Sequence, residues 1–402
     1  MILLKNCRLI PDLTEGFSDS TGHVLLNGKK IEAILPVDCA ELPEAEQVFD
    51  IQGKTLMPGM FDLHCHVSFM HSDFTEFFYR DVYDDFFDAA NYVKTMLSYG
   101  YTTLRSCGSA YEVETKVRNA VEKGIITGSR VLASGHILTP TAKGNWQFPG
   151  MYVEVDSVDD ILGKVRQECV KGADFIKMMA TGSVANPGGD PGELVATPAE
   201  IRATVEAAEF CGTYVAAHCH GKEGIMECIK AGVKTIEHAT CIDDDCIAEI
   251  QRRNMYTAIV PTFGCMYEPY KMALADVPVP ERRKEILRQC KWAFEKAVVG
   301  VRKAYEAGVI TGWGTDASLD TFLQEPDVEF TARKEMGLSN IDLLKQATIE
   351  SARCISMDDK YGTIKAGKLA DLIIIDGNPD ENLNLFSKKP IMVFVDGVLM
   401  NN

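Results

Sequence analysis

The chain has 402 residues, enough for one large domain with a smaller module, and its 46% apolar and 25% charged residues suit a globular protein with a sizeable core. The formal charge of −17 argues against a nucleic-acid or anionic-membrane partner, either of which wants a basic face. The 13 cysteines are scattered without a Cys-x-x-Cys pair, and no apolar run is long enough for a secretory signal or a membrane span, so reduced thiols in a cytoplasmic protein are expected.

Residues 1–57 read as short strands separated by turns: Ile2-Leu-Leu, Val24-Leu-Leu ahead of Asn27-Gly28, and Ile31-Glu-Ala-Ile-Leu. From residue 58 onward, apolar runs alternate with helical stretches, the pattern of a parallel α/β fold. Eight strand candidates follow, at 59–66, 102–106, 130–135, 174–179, 214–218, 233–238, 256–261 and 309–316. Thr197-Pro-Ala-Glu-Ile-Arg-Ala-Thr-Val-Glu-Ala-Ala has helical periodicity and a start signal. No G-x-G-x-x-G follows the first strand, so an open doubly wound sheet is the weaker architecture, and a (β/α)8 TIM-type barrel over residues 58–357 is expected. Strand character returns with Asp371-Leu-Ile-Ile-Ile-Asp and a hairpin around Asp396-Gly397. Residues 1–57 and 358–402 are therefore expected to build one composite β-sandwich domain.

His64-Cys65-His66 ends the first strand candidate. Alternate strand residues point the same way, so the two imidazoles project together with Cα atoms roughly 6–7 Å apart, close enough to reach one ion at about 2.1 Å. Taken alone, His-x-His also suits two ordinary histidines at a strand end. In barrels of this kind, however, catalytic groups come from the C-terminal ends of several strands. Those ends carry His64 and His66, Lys177, His218, His238 and Asp316, drawn from strands 1, 4, 5, 6 and 8, and every one is a competent ligand.

The stretches around them are Met57-Pro-Gly-Met-Phe-Asp-Leu-His-Cys-His, Phe175-Ile-Lys177-Met-Met-Ala-Thr-Gly, Ala217-His218-Cys-His220-Gly, Ile236-Glu-His238-Ala and Gly314-Thr-Asp316-Ala. With the ending Gly362-Thr-Ile-Lys-Ala-Gly-Lys-Leu-Ala-Asp-Leu-Ile-Ile-Ile-Asp, the chain resembles the amidohydrolase superfamily over nearly its whole length. The run from Lys177 to Pro191 is most similar to the branch of Xaa-Pro and Xaa-Arg dipeptidases, which is prolidase-like, with imidazolonepropionase a more distant relative.

The resemblance implies two divalent ions, zinc first, although manganese, cobalt or iron would suit the same ligands. Lys177, carboxylated by CO2, would bridge them. His64 and His66 would hold the more buried ion with Asp316, and His218 and His238 the more exposed one. Two ions about 3.5–4 Å apart can make hydroxide from a bridging water near neutrality. Asp316 would pass the proton of that water to the leaving amine. The expected reaction is hydrolysis of an amide bond in a small substrate, a dipeptide of the Xaa-Pro or Xaa-Arg/Lys type or an N-acyl amino acid. A cyclic amide, lactone or phosphotriester would suit the same metals. A deaminase fits less well, because Glu223 comes too late after His218 to protonate a ring and Lys177 is present. A non-catalytic scaffold fits least, since all six ligand positions are filled.

Further candidates flank these positions. His136, ending the third strand, is a candidate for the substrate carbonyl or oxyanion. His220 is a candidate for the same mouth. Tyr267 and Arg105 are candidates for a substrate carboxylate, with loop packing and pairing inside the barrel as their plainer readings. Trp146 and Phe148 suit an apolar wall, and Pro187-Gly-Gly-Asp-Pro suits a flexible lid. His23 and His71 have no motif around them. A homo-oligomer is compatible with the resemblance, but no surface stripe demands one.

Overall fold

The computed structural model describes residues 1–71, 78–185, 189–275 and 278–400. Strands from both ends of the chain join one eight-stranded sheet, in the order Val398–Leu399, Met392–Val395, Leu372–Ile375, Thr55–Pro58, Ile2–Leu9, Thr21–Asn27 and Lys30–Pro36, with Gln47–Asp50 also on Ile2–Leu9. Ile2–Leu9 changes partner part way. A bulge between Leu4 and Cys7 places Asn6 at φ 55, so the first half runs beside Gln47–Asp50 and the second beside Thr55–Pro58. One hydrogen-bonded sheet therefore forks at this bulge. Leu4, Val24, Leu56, Leu372 and Phe394 form its apolar core.

Between the two ends the fold is α/β, with parallel strands alternating with helices. Helix boundaries follow local chemistry. Thr197 and Glu200 form a capping box at the start of Pro198–Phe210, with proline in the first turn. Ser157 caps Val158–Lys171, which ends on left-handed Gly172. Ile201, Val205 and Ala208 recur at helical spacing and are buried in the main core, where a side chain such as Ile201 contributes about 1.5–3 kcal/mol.

Seven of the eight expected strands lie within a few residues of their predicted bounds. They fall in two ladders. One contains Met60–Cys65, Tyr101–Ser106 and Arg130–Ala133; the other runs Tyr152–Glu154, Ile137–Thr139, Ile176–Met179, Val215–Cys219, Thr235–His238, Ala258–Val260. The third strand is broken by Gly135 at φ 76, so that Arg130–Ala133 pairs with its predecessor while Ile137–Thr139 pairs with Ile176–Met179. Neither Ile137–Thr139 nor Tyr152–Glu154 was expected.

The eighth candidate, 309–316, is not a continuous strand. It makes isolated parallel bridges, Ile259 with Thr311 and Thr262 with Gly314. On its other side Leu63 N donates to Trp313 O at 2.7 Å and Asp316 N to His64 O at 2.8 Å. Close approach explains the irregularity: a Cβ on Gly314 would lie 2.7 Å from His64 Cβ and 2.9 Å from Val260 Cγ1. Regular ladders therefore do not close into one continuous ring.

Register levels the strand ends that matter. Met179 lies opposite His218, and Cys219 opposite His238. All 13 cysteines are free thiols. Among the described residues no helix is long and apolar enough to cross a membrane.

Candidate metal centre

The side chains of His64, His66, Lys177, His218, His220, His238 and Asp316 come together at these strand ends. His64 Nε2 lies 3.5 Å from Lys177 Nζ and 3.8 Å from Asp316 Oδ1, and His66 Nε2 lies 3.5 Å from the same oxygen. The His238 ring is 4.7 Å from that of His64, 4.5 Å from that of His218 and 4.7 Å from that of His220, centroid to centroid. Two overlapping sets of ligand atoms lie within 4.8 Å of one another: His64, His238 and Asp316, and His218, His220 and His238. His238 belongs to both.

The electrostatics suit a cation. Burial pushes His66 and His220 down to about 3, and holds His64, His218 and His238 well below the usual histidine range, with Lys177 and neighbouring rings adding repulsion. All five rings are thus neutral near pH 7, the form that binds metals. Burial also pushes Asp316 up to about 7, although the Lys177 ammonium opposes this.

Hydrogen bonds at the far side of three of the rings, to oxygens that can only accept, fix which nitrogen is free. His64 Nδ1 meets Glu237 Oε2 at 2.8 Å and His66 Nδ1 meets Gly108 O at 2.8 Å. These oxygens accept, so Nδ1 carries the proton and Nε2 keeps a lone pair. His218 is turned round: its Nε2 faces Gly182 O at 3.1 Å, which frees Nδ1. His220 and His238 each rest Nδ1 on a threonine hydroxyl, Thr240 and Thr262, at 2.7 Å. His220 Nε2 is buried with no partner, an orphan that a bound ion or substrate would satisfy. The residues present therefore fit divalent metal.

Backbone strain sits at the same place. His238, Ala239 and Asp316 adopt left-handed φ values of 68°, 49° and 49°. Such conformations cost about 1–3 kcal/mol each and tend to persist at functional sites.

Two buried carboxylates support the clustered side chains, and neither was singled out as a site residue from the sequence. Asp62 accepts from His64 N at 3.1 Å, Thr315 N at 3.0 Å and Thr315 Oγ1 at 2.6 Å, tying the first strand to the segment that carries Asp316. Glu237 holds the His64 ring. Strand alternation was the available signal for Asp62, since it places residues 62, 64 and 66 on one face.

Three further candidates have their partners elsewhere. Arg105 is fully buried and donates to Leu63 O, Thr235 Oγ1 and Glu237 Oε1 at 2.6, 2.8 and 2.7 Å, so its pairing lies within the interior. His136 follows the kink at Gly135 and sets Nδ1 3.1 Å from both Glu112 and Glu168, joining these helical-layer carboxylates instead of the metal cluster. Tyr267 lies in the helix Gly264–Leu274 and packs on Tyr270 and Phe294.

Of the apolar candidates, Trp146 is exposed and stacks on Phe78, while Phe148 is buried and stacks on Phe69. Phe69 in turn stacks on His66 at 4.6 Å, a wall residue that no motif marked. The expected lid at 187–191 lies partly outside the described residues. His23 accepts from Asn6 N at 3.0 Å within the terminal sheet, and His71 lies 3.8 Å from Asp320.

Comparison with known proteins adds four findings. A model described as the amidohydrolase family matches residues 55–400. Ochratoxinase from Aspergillus niger is 26% identical over 380 residues, covering 85% of this chain and 74% of that protein. Among solved structures, a prolidase complexed with N-methylphosphonate-L-proline is 28% identical with a TM-score of 0.85, covering 99% of this chain and 98% of the other. A Xaa-Pro dipeptidase with bound methionine in the active site is likewise 28% identical with a TM-score of 0.85, covering 99% of each chain.

Proposed function

The chain belongs to the amidohydrolase family, and on that premise we propose that it cleaves the amide bond of a small substrate on two divalent ions. The substrate is a dipeptide of the Xaa-Pro or Xaa-Arg/Lys type, or an N-acyl amino acid. The likeness to a prolidase and a Xaa-Pro dipeptidase supports this choice. The architecture assumed is a (β/α)8 barrel with a composite domain of residues 1–57 and 358–402.

The observation behind this reading is the convergence of four neutral imidazoles and one carboxyl group in two overlapping sets of ligand atoms, with His66 beside the same Asp316 oxygen. His64, His66 and Asp316 would hold one ion, and His218 and His238 the other; zinc suits these donors. Lys177, as its CO2-derived carbamate, would add an oxygen to each. Bound there, the ions supply an activated water near neutral pH and a Lewis acid for the scissile carbonyl.

The chain's own groups do the rest. Asp316 takes the proton of the attacking water at its carboxylate and delivers it to the leaving nitrogen. His220 shares the same space and is placed to hydrogen-bond the substrate carbonyl. Phe69 and Phe148 wall one side and limit water behind His66.

The test is metal content per chain together with a screen of dipeptides and N-acyl amino acids, on protein purified with bicarbonate and zinc. Close to two ions with release of a free amino acid sustains the reading. A single ion with deamination, or cleavage of lactones, cyclic amides or phosphotriesters without any linear amide, overturns it.

A further inference from the structure

We propose that Glu237, anchored by Arg105, is a positioning residue that sets the affinity of the ion held by His64 and leaves the other ion alone; this rests on the two-ion reading above. The five imidazoles lean on different partners. Four rest on neutral oxygens: the carbonyls of Gly108 and Gly182 and the hydroxyls of Thr240 and Thr262. His64 rests on a carboxylate, Glu237 Oε2, at 2.8 Å.

Glu237 is fully buried, and its second oxygen is fixed in turn. Oε1 accepts from Arg105 Nη2 at 2.7 Å and from Thr235 Oγ1 at 2.6 Å. Arg105 also donates Nε to Leu63 O at 2.6 Å, the residue before His64, so one guanidinium steadies both the backbone and the ring support of a ligand. The pair compensates its own charge in a dry interior, where either partner alone would be costly.

An anionic acceptor on Nδ1–H pushes electron density toward Nε2 and locks the ring's direction. Carbonyls and hydroxyls do this less. His238 is the next residue after Glu237, and its left-handed turn at φ 68 ends the strand's alternation, which lets consecutive residues both reach the cluster. One strand thus supplies a ligand and the support of a different ligand.

The experiment is a zinc titration of the whole chain against a chromophoric chelator, with metal counted by mass spectrometry and near-UV circular dichroism recorded alongside. Glu237→Gln alone strands Arg105 and endangers the fold, so the main variant is Arg105→Met with Glu237→Gln, which removes both charges together. Glu237→Asp, which keeps the charge but shortens the reach, serves if that pair does not fold. The expected result is a natively folded variant in which one ion weakens about 10–100-fold while the second is unchanged. Equal weakening of both ions, or of neither, overturns the proposal. A natural chain that never binds two ions overturns the two-ion reading itself, and is told apart because it shows before any substitution is made.

Discussion

Asp62 offers a measurable separation of two effects that usually travel together. Its carboxylate supplies the acceptor for two backbone amides, of His64 and Thr315, and for the Thr315 hydroxyl. Burial nonetheless pushes its carboxyl from 3.8 up to about 6, so the ionised form is disfavoured in the fold by about 3 kcal/mol at 1.36 kcal/mol per unit. Asp62→Asn keeps an acceptor for both amides and sheds the charge. Asp62→Ala sheds the charge and also leaves two buried amides without a partner, at roughly 1–3 kcal/mol each.

The unfolded chain ionises Asp62 near 3.8 and the folded one near 6, so the natural protein loses stability as pH rises through that window and levels off above it. Neither variant shares that loss. Urea titrations of metal-free protein at pH 4.5 and 7.5 should show Asp62→Asn improving relative to the natural chain by about 2 kcal/mol across the interval. Asp62→Ala should sit below Asp62→Asn by roughly 2–6 kcal/mol at both pH values. Equal stability of the two variants would refute the clamp, and a pH trend of the opposite sign would refute the cost of burial.

Asp316→Asn should lower kcat by about 100-fold or more, because the amide cannot carry the proton, with ion content by mass spectrometry falling far less than kcat. Gly314→Ala drives a methyl group to within 2.7 Å of His64 Cβ, and a melt should show about 1–3 kcal/mol of destabilisation together with weaker zinc binding. Glu15, tied to Lys365, Thr363 and Lys368, is held down at about 2, chiefly by its hydrogen bond to Lys365. It is well exposed, so Glu15→Gln should cost only about 0.2–1 kcal/mol at pH 7. That gap should close as pH falls from about 4.5 toward about 2, and should shrink in high salt.

Strands were legible because buried parallel strands read as short apolar runs, and the candidate site residues that converge were legible because they cluster where such runs end. Val215–Cys219 and Thr235–His238 lie close to where their apolar runs predict them. What escaped were matters of direction and close approach. His136 stands at a strand end like the ligands do, but the turn at Gly135 swings it to Glu112 and Glu168. Arg105 is polar and sits near the mouth in sequence, yet its neighbours across the interior, Thr235 and Glu237, are 130 residues or more away along the chain. No local pattern reports such pairings. The irregular path at 309–316 belongs to the same class, since it depends on how near His64 and Val260 come to Gly314.

The strand Thr55–Pro58 is flanked by Ile2–Leu9 on one side and by Leu372–Ile375 on the other, partners far apart along the chain. At synthesis rates of about 5–20 residues per second, the second partner emerges roughly 18–73 s after the first. Throughout that wait the nascent chain carries an unzipped edge whose Leu56 and Met57 are wholly buried in the finished protein. Gly59, which leads directly into the strand bearing His64, has its amide held by Asp371 O at 2.9 Å, so this anchor too arrives late. Maturation of the strand bearing His64 is therefore timed by the ribosome's progress to residue 375, and a chain halted before that point should be a target for chaperones and proteases.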